Sequence, residues 1–138
     1  MANNKNKQSE GNVVYTHPDW VDRTIAIARQ YTDTEIFIDP CAGAGAFIDG
    51  CNRIGAASIG YDIKPMRWDI NKRDLYARTR IIKCPVITNP PFSRNAATKV
   101  FNHIAKCKAP LIIMFWPASY RKWSRIDQLD ANYELLHN

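Results

Sequence analysis

The sequence predicts an α/β domain built on a mostly parallel sheet with helices on both faces. Three observations carry this expectation. Short apolar stretches of strand type alternate with amphipathic helical stretches, the pattern of repeated βαβ units. Leu111 to Phe115 is apolar without a break, as in a strand covered on both sides. The loop after Asp39, the acid Asp62 and the segment Asn89 to Phe92 each fall at the end of a strand, where open α/β sheets bind ligands.

The elements follow in order. Met1 to Asn12 is polar, carries lysines and has no apolar core, so it reads as a disordered lead-in to a single domain over residues 13–138. Asp19 to Tyr31 is a helix with Trp20, Val21, Ile25, Ile27 and Ala28 on one face, entered through His17-Pro18. Glu35 to Asp39 is a short buried strand that runs into a glycine-containing loop, Pro40 to Gly45. A helix from Ala46 to Ile54 is stopped by Gly55. Ala57 to Asp62 is the second strand, and a short third is expected within Ile70 to Leu75. Pro85 to Thr88 is the fourth. Ser93 to Cys107 is a helix capped by Ser93, and Leu111 to Phe115 is the fifth strand. Ser119 to Leu129 is a helix or an ordered loop, and Tyr133 to Leu136 the start of a further strand.

Composition narrows the function classes. The chain of 138 residues has a formal charge of +6, which favours a polyanionic partner such as nucleic acid. No run of 18 apolar residues is present, so no membrane partner is expected. Cys41, Cys51, Cys84 and Cys107 lack the spacing of a metal half-site and read as reduced thiols of a cytoplasmic protein, or of the host cytoplasm if the chain is phage- or virus-encoded.

Asp39-Pro40-Cys41-Ala42-Gly43-Ala44-Gly45-Ala46-Phe47 follows a strand and opens a helix. Glycines at 43 and 45 allow a tight turn and close approach of a ligand, although a plain strand-to-helix turn uses the same residues. Asp62 lies 17 residues past Gly45 at the next strand's end, where a carboxylate accepts bonds from both ribose hydroxyls of an adenosine. A turn residue is its alternative reading. The third glycine of a dinucleotide fingerprint is missing. Asp39 adds negative charge beside the loop, which suits a cationic ligand better than a pyrophosphate.

Asn89-Pro90-Pro91-Phe92 is the most specific segment. Two prolines end the strand and stiffen the backbone. The Asn89 amide oxygen and the Pro90 carbonyl can each accept a bond from an –NH2 group, and Phe92 can stack on a planar ring. A proline-rich turn with Phe92 in the core is the alternative.

In this order and spacing, these segments resemble the motifs of S-adenosyl-L-methionine-dependent amino-group methyltransferases, the DNA adenine-N6 family above all. The resemblance runs from about residue 16 to 120. It implies a Rossmann-like methyltransferase fold with the terminal strands short or missing. It also implies that Asp39, Pro40, Ala42, Gly43, Gly45 and Phe47 line the cofactor, with Asp62 on the ribose and Ile63 beside it. Asp74 resembles the acid that meets the cofactor's adenine, with Asp69 competing for the role. Thr16 and Trp20 resemble the segment that seats the methionine end. Asn89, Pro90, Pro91 and Phe92 are the implied catalytic residues, Asn89 also bordering the cofactor.

The family's sheet has seven strands, and this chain reaches the sixth at best. Either the chain is a minimal or truncated form, or the open edge is covered by a partner or a second copy, as in a homodimer. Arg94, Arg121, Lys122 and Arg125 are the expected nucleic-acid contacts, with Arg78, Arg80 and Lys83 a further basic group. The expected activity is methylation of adenine N6 in DNA, with the base drawn out of the stack. An RNA base, a protein glutamine amide, or a non-catalytic binding module of the same fold are the alternatives.

Overall fold

The computed structural model describes residues 16–91, 95–116 and 126–136. Five strands form one sheet: β1 (Ile36–Asp39), β2 (Ala57–Asp62), β3 (Ile70–Lys72), β4 (Val86–Thr88) and β5 (Ile112–Met114). Their order is β3-β2-β1-β4-β5 and every pair is parallel. Three α-helices, α1 (Pro18–Arg29), α2 (Ala46–Arg53) and α3 (Ala96–Lys106), and a short 3-10 turn, Leu75–Ala77, complete the described elements. No described helix is long and apolar enough to cross a membrane.

Strand alternation sorts the core into two layers. Phe37, Ile87, Ile113 and Phe115 pack with Val21, Ile25 and Ala28 of α1 and Phe47 and Cys51 of α2. Their neighbours Ile38, Val86, Ile112 and Met114 point the other way, onto Val100, Phe101 and Ile104 of α3. Each central strand is therefore apolar on both faces, which is why these strands read as unbroken hydrophobic runs.

Parallel neighbours ordinarily need a dozen or more connecting residues, yet residues 63–69 alone join β2 to β3. The register explains this. Ile70 pairs with Gly60, so the chain drops back only about two residues, roughly 7 Å, before β3 begins.

Helix ends follow local chemistry. His17 caps α1, its Nδ1 accepting the Asp19 N–H at 3.2 Å, and Pro18 takes the first turn, where no donor is needed. This bears out the reading of His17-Pro18 as a helix entry. The helix expected from Ser93 instead begins at Ala96, with Asn95 at the cap position in a left-handed conformation (φ +60°) and making no side-chain capping bond. A backbone turn replaces the hydroxyl cap, and Ser93 lies outside the described residues. No strand forms at 133–136. There Tyr133 is turned inward: its hydroxyl donates to the Ala109 carbonyl at 2.6 Å and its ring meets Phe101 edge-on. Of the segment expected before it as a helix or ordered loop, Ser119 to Leu129, residues 119–125 are not described.

Gly50 marks the closest approach of α1 and α2. A Cβ there would collide with Val21 Cγ1 and Ile25 Cδ1, and both side chains are almost fully buried. Alanine in a helix interior normally gains about 1 kcal/mol over glycine. Here the overpacking cost of about 1–3 kcal/mol wins. Gly50→Ala should lower the denaturant midpoint, and an unchanged or raised midpoint would show that the helices separate freely.

Candidate functional site

β1 and β4 lie side by side, and their chains leave in opposite directions, β1 through α2 to β2 and β4 through α3 to β5. A crevice therefore opens at their carboxyl ends, the switch point at which open sheets bind ligands. Asp39 ends β1, and Asn89 directly follows β4.

Asp39 is 4% exposed. The Thr88 hydroxyl donates to its Oδ1 at 2.6 Å and the Cys41 N–H donates to the same oxygen at 3.1 Å. Burial outweighs these bonds and, with repulsion from Asp62, pushes its pKa up to about 7. Among the described residues no cation stands within ion-pair distance of it. Burial, with the charge of Asp39, drives the neighbouring Cys41 thiol up to about 12, so it is no ready nucleophile.

The glycine turn is pinned from both sides. Gly43 and Gly45 have φ of +53° and +86°, the left-handed region that disfavours side chains. Space beside Gly43 is open, with no atom within 4 Å of where a Cβ would stand. The Gly43 N–H donates to Asp62 Oδ2 at 2.9 Å, and Lys64 N–H donates to Oδ1 at 2.9 Å. The acid at the end of β2 thus ties the turn to the neighbouring strand. A cavity of about 190 Å³ separates the turn from α1, bordered by Thr16, Pro18, Val21, Ala44, Ala46 and Asp49.

Thr16 also borders the larger groove that contains Asn89. Its Oγ1 accepts a bond from Asn89 Nδ2 at 3.0 Å. With the nitrogen end committed to Thr16, the amide presents oxygen as its acceptor end. The larger groove, about 1730 Å³, runs beside β5 between α1, α3 and residues 126–136. Those residues are held by Asn102, which accepts the Asp130 N–H, and by the Tyr31 hydroxyl, which donates to the Leu136 carbonyl at 3.1 Å.

The structure therefore gathers Asp39, Pro40, Ala42, Gly43, Gly45 and Asp62 at the neighbouring ends of β1 and β2 and joins Thr16 to Asn89 at the end of β4. Other expected residues stand apart. Phe47 is buried in the core against Phe115, so only its backbone can meet a ligand. Trp20 is half exposed under Arg23, and Ile63 is exposed. Asp74 is exposed and caps the short 3-10 turn Leu75–Ala77 by accepting the Tyr76 N–H. Asp69 is spoken for by Arg67. Pro90 is buried and Pro91 exposed. Phe92, Arg94, Arg121, Lys122 and Arg125 lie outside the described residues.

Two residues escaped the sequence reading. Thr88 is wholly buried and binds Asp39 across the strands. A hydroxyl residue ending the apolar run Val86-Ile87 was the available hint. Arg67 grips Asp69 with two bonds (Nε to Oδ1, 3.0 Å; Nη2 to Oδ2, 2.6 Å) and meets Asp49 and the Ala44 and Gly45 carbonyls through Nη1. Nothing in Pro65-Met66-Arg67-Trp68-Asp69 announces contacts so distant in sequence. No protein-family model, no curated protein and no solved structure matches the chain.

Proposed function

We propose that this chain is an S-adenosylmethionine-dependent methyltransferase acting on an exocyclic amino nitrogen, with adenine N6 in DNA as its target. One observation carries the reading. A buried acid with a glycine turn and an asparagine amide held by its nitrogen end occupy adjacent strand ends at one crevice.

The residues present suit this cofactor. Among the described residues Asp39 is a buried acid with no cation at ion-pair distance, and both of its bonds there fall on Oδ1, leaving Oδ2 for a charged donor. A sulfonium and an ammonium supply the missing positive charge, whereas a pyrophosphate would add a second negative one. The open space at Gly43 admits a ligand against the backbone. Asp62 uses one lone pair of each oxygen on backbone N–H groups and keeps the others for ribose hydroxyls. When bound, the cofactor supplies an electrophilic methyl group.

The chain's own part is to hold and activate the nitrogen. The Asn89 oxygen and the Pro90 carbonyl accept the two amino protons, drawing the nitrogen out of conjugation with the ring. They also stabilise positive charge as it develops there. Burial of Pro90 keeps its carbonyl in place while Thr16 holds the Asn89 amide. No strong base is required, because the proton turns acidic only after the methyl has moved.

The test is to incubate the purified protein with methyl-labelled cofactor and unmethylated DNA, RNA or protein, then digest and identify the product. Label in N6-methyladenine from DNA is expected. No transfer to any of the three would defeat the proposal.

A further inference from the structure

The charge of this protein is unevenly placed. Across residues 63–83 seven cations face only two acids, Asp69 and Asp74. The other described residues carry more acids than bases. Lys64, Lys72, Arg73, Arg80 and Lys83 are all exposed, and none forms an ion pair among the described residues. Arg73 rests over the Tyr61 ring at 5.4 Å.

Within this basic stretch Trp68 is 97% exposed. A tryptophan so placed forgoes the burial that its ring would gain elsewhere. Its mount is nevertheless firm. Arg67 and Asp69, the residues on either side, are joined by two charged bonds that close the chain beneath it. Arg67 is fastened in turn to Asp49 and to the Gly45 carbonyl. The loop holds the indole out into solvent instead of letting it fold back. Ile63 and Met66, also exposed, widen the apolar tip.

We infer that the 63–83 surface is a single-stranded nucleic-acid platform, with Trp68 stacking on an unpaired base and Lys64, Lys72 and Arg73 meeting the flanking phosphates. An exposed ring in a segment of exposed cations that form no ion pair among the described residues matches a ligand that joins flat faces to regular negative charge. Acidic proteins offer the charge without the stacking face. Lys64 follows the end of β2 and Arg73 the end of β3, so both stand at the sheet's ligand-binding edge. Strand β3 is three places from β4 in the sheet. That is roughly 15 Å, about four stacked nucleotides, so one strand can run from Arg73, after the end of β3, toward Asn89, after the end of β4. The inference deepens the proposed function, and rests on it only for this reach toward the catalytic end.

The experiment is fluorescence anisotropy with a labelled single-stranded oligodeoxynucleotide and its duplex, without cofactor. Trp68→Ala should weaken single-strand binding about tenfold while Trp68→Phe stays near wild type. Lys72→Gln with Arg73→Gln should lower the slope of log affinity against log salt by about 1.4. Trp68 has few contacts to lose, so an unchanged melting temperature is expected and certifies the fold of the variant. Equal binding by Trp68→Ala and wild type overturns the inference. So does a variant that binds normally but loses self-association in sedimentation, since the tip is then a protein interface. Binding that depends on Trp68 without any methyl transfer would sink the enzymatic reading alone, and transfer without that dependence would sink only this one.

Discussion

Asn89→Ala should abolish methyl transfer while the protein still binds S-adenosylmethionine. The substitution removes an acceptor that faces charge developing on the target nitrogen. Loss of one such preorganised partner costs about 10²–10³ in turnover, some 3–4 kcal/mol. Cofactor affinity should change little, because Asp39 is held by Thr88 and Cys41 and the Gly43 N–H by Asp62, bonds in which the Asn89 side chain takes no part. Single-turnover transfer and calorimetric titration separate the two quantities. Normal turnover in the variant would end the assigned mechanism, while a parallel collapse of cofactor binding would make Asn89 a structural support. Thr16→Val is an informative companion, since it removes the bond that orients the amide while keeping the Asn89 side chain itself.

The second large effect is on pH. Asp39 has its pKa raised to about 7 by burial, so the folded protein holds a proton that the unfolded chain releases near pH 4. Between those values the folded state binds more protons, and stability without ligand falls as pH rises. The window of about three units corresponds to roughly 4 kcal/mol as an upper figure. A cationic ligand reverses the preference, because it pairs only with the ionised acid. Affinity for S-adenosylmethionine should therefore climb about tenfold per unit toward pH 7 and level off above it. Asp39→Asn should flatten this profile, weaken the cofactor at pH 8 and raise the melting temperature of the ligand-free protein there. A pH-independent affinity in the wild type would show that Asp39 does not meet the ligand's charge.

Much of the scaffold was legible in advance because strand ends and breakers are local signals. Ala57 to Asp62 matches the observed strand residue for residue, and α2 runs from Ala46 to within one residue of the expected end. Parallel pairing followed from the alternation of strand and helix stretches and from the unbroken apolar run Leu111 to Phe115, and the structure bears it out. What stayed hidden depends on distant contacts. The start of α3 turns on a left-handed Asn95, which no local rule prefers over a serine cap. Tyr133 looked like a strand residue until Phe101 and the Ala109 carbonyl claimed it. Phe47 was expected at the cofactor through the motif's resemblance, yet the apolar face of α2 takes it into the core. The tie between Asp39 and Thr88 spans 49 positions, beyond any window of periodicity.

Arg67 has a mechanical consequence. One guanidinium touches the carbonyls of Ala44 and Gly45 and also the carboxylate of Asp69, so two loops that differ in sequence by about twenty positions are splinted into one body. A shift of the glycine turn must be relayed to the tip that carries Trp68, or else break charged bonds. Two occupants, one on each loop, would accordingly sense each other. By thermodynamic reciprocity, whatever factor the first adds to the second's affinity is returned in equal measure.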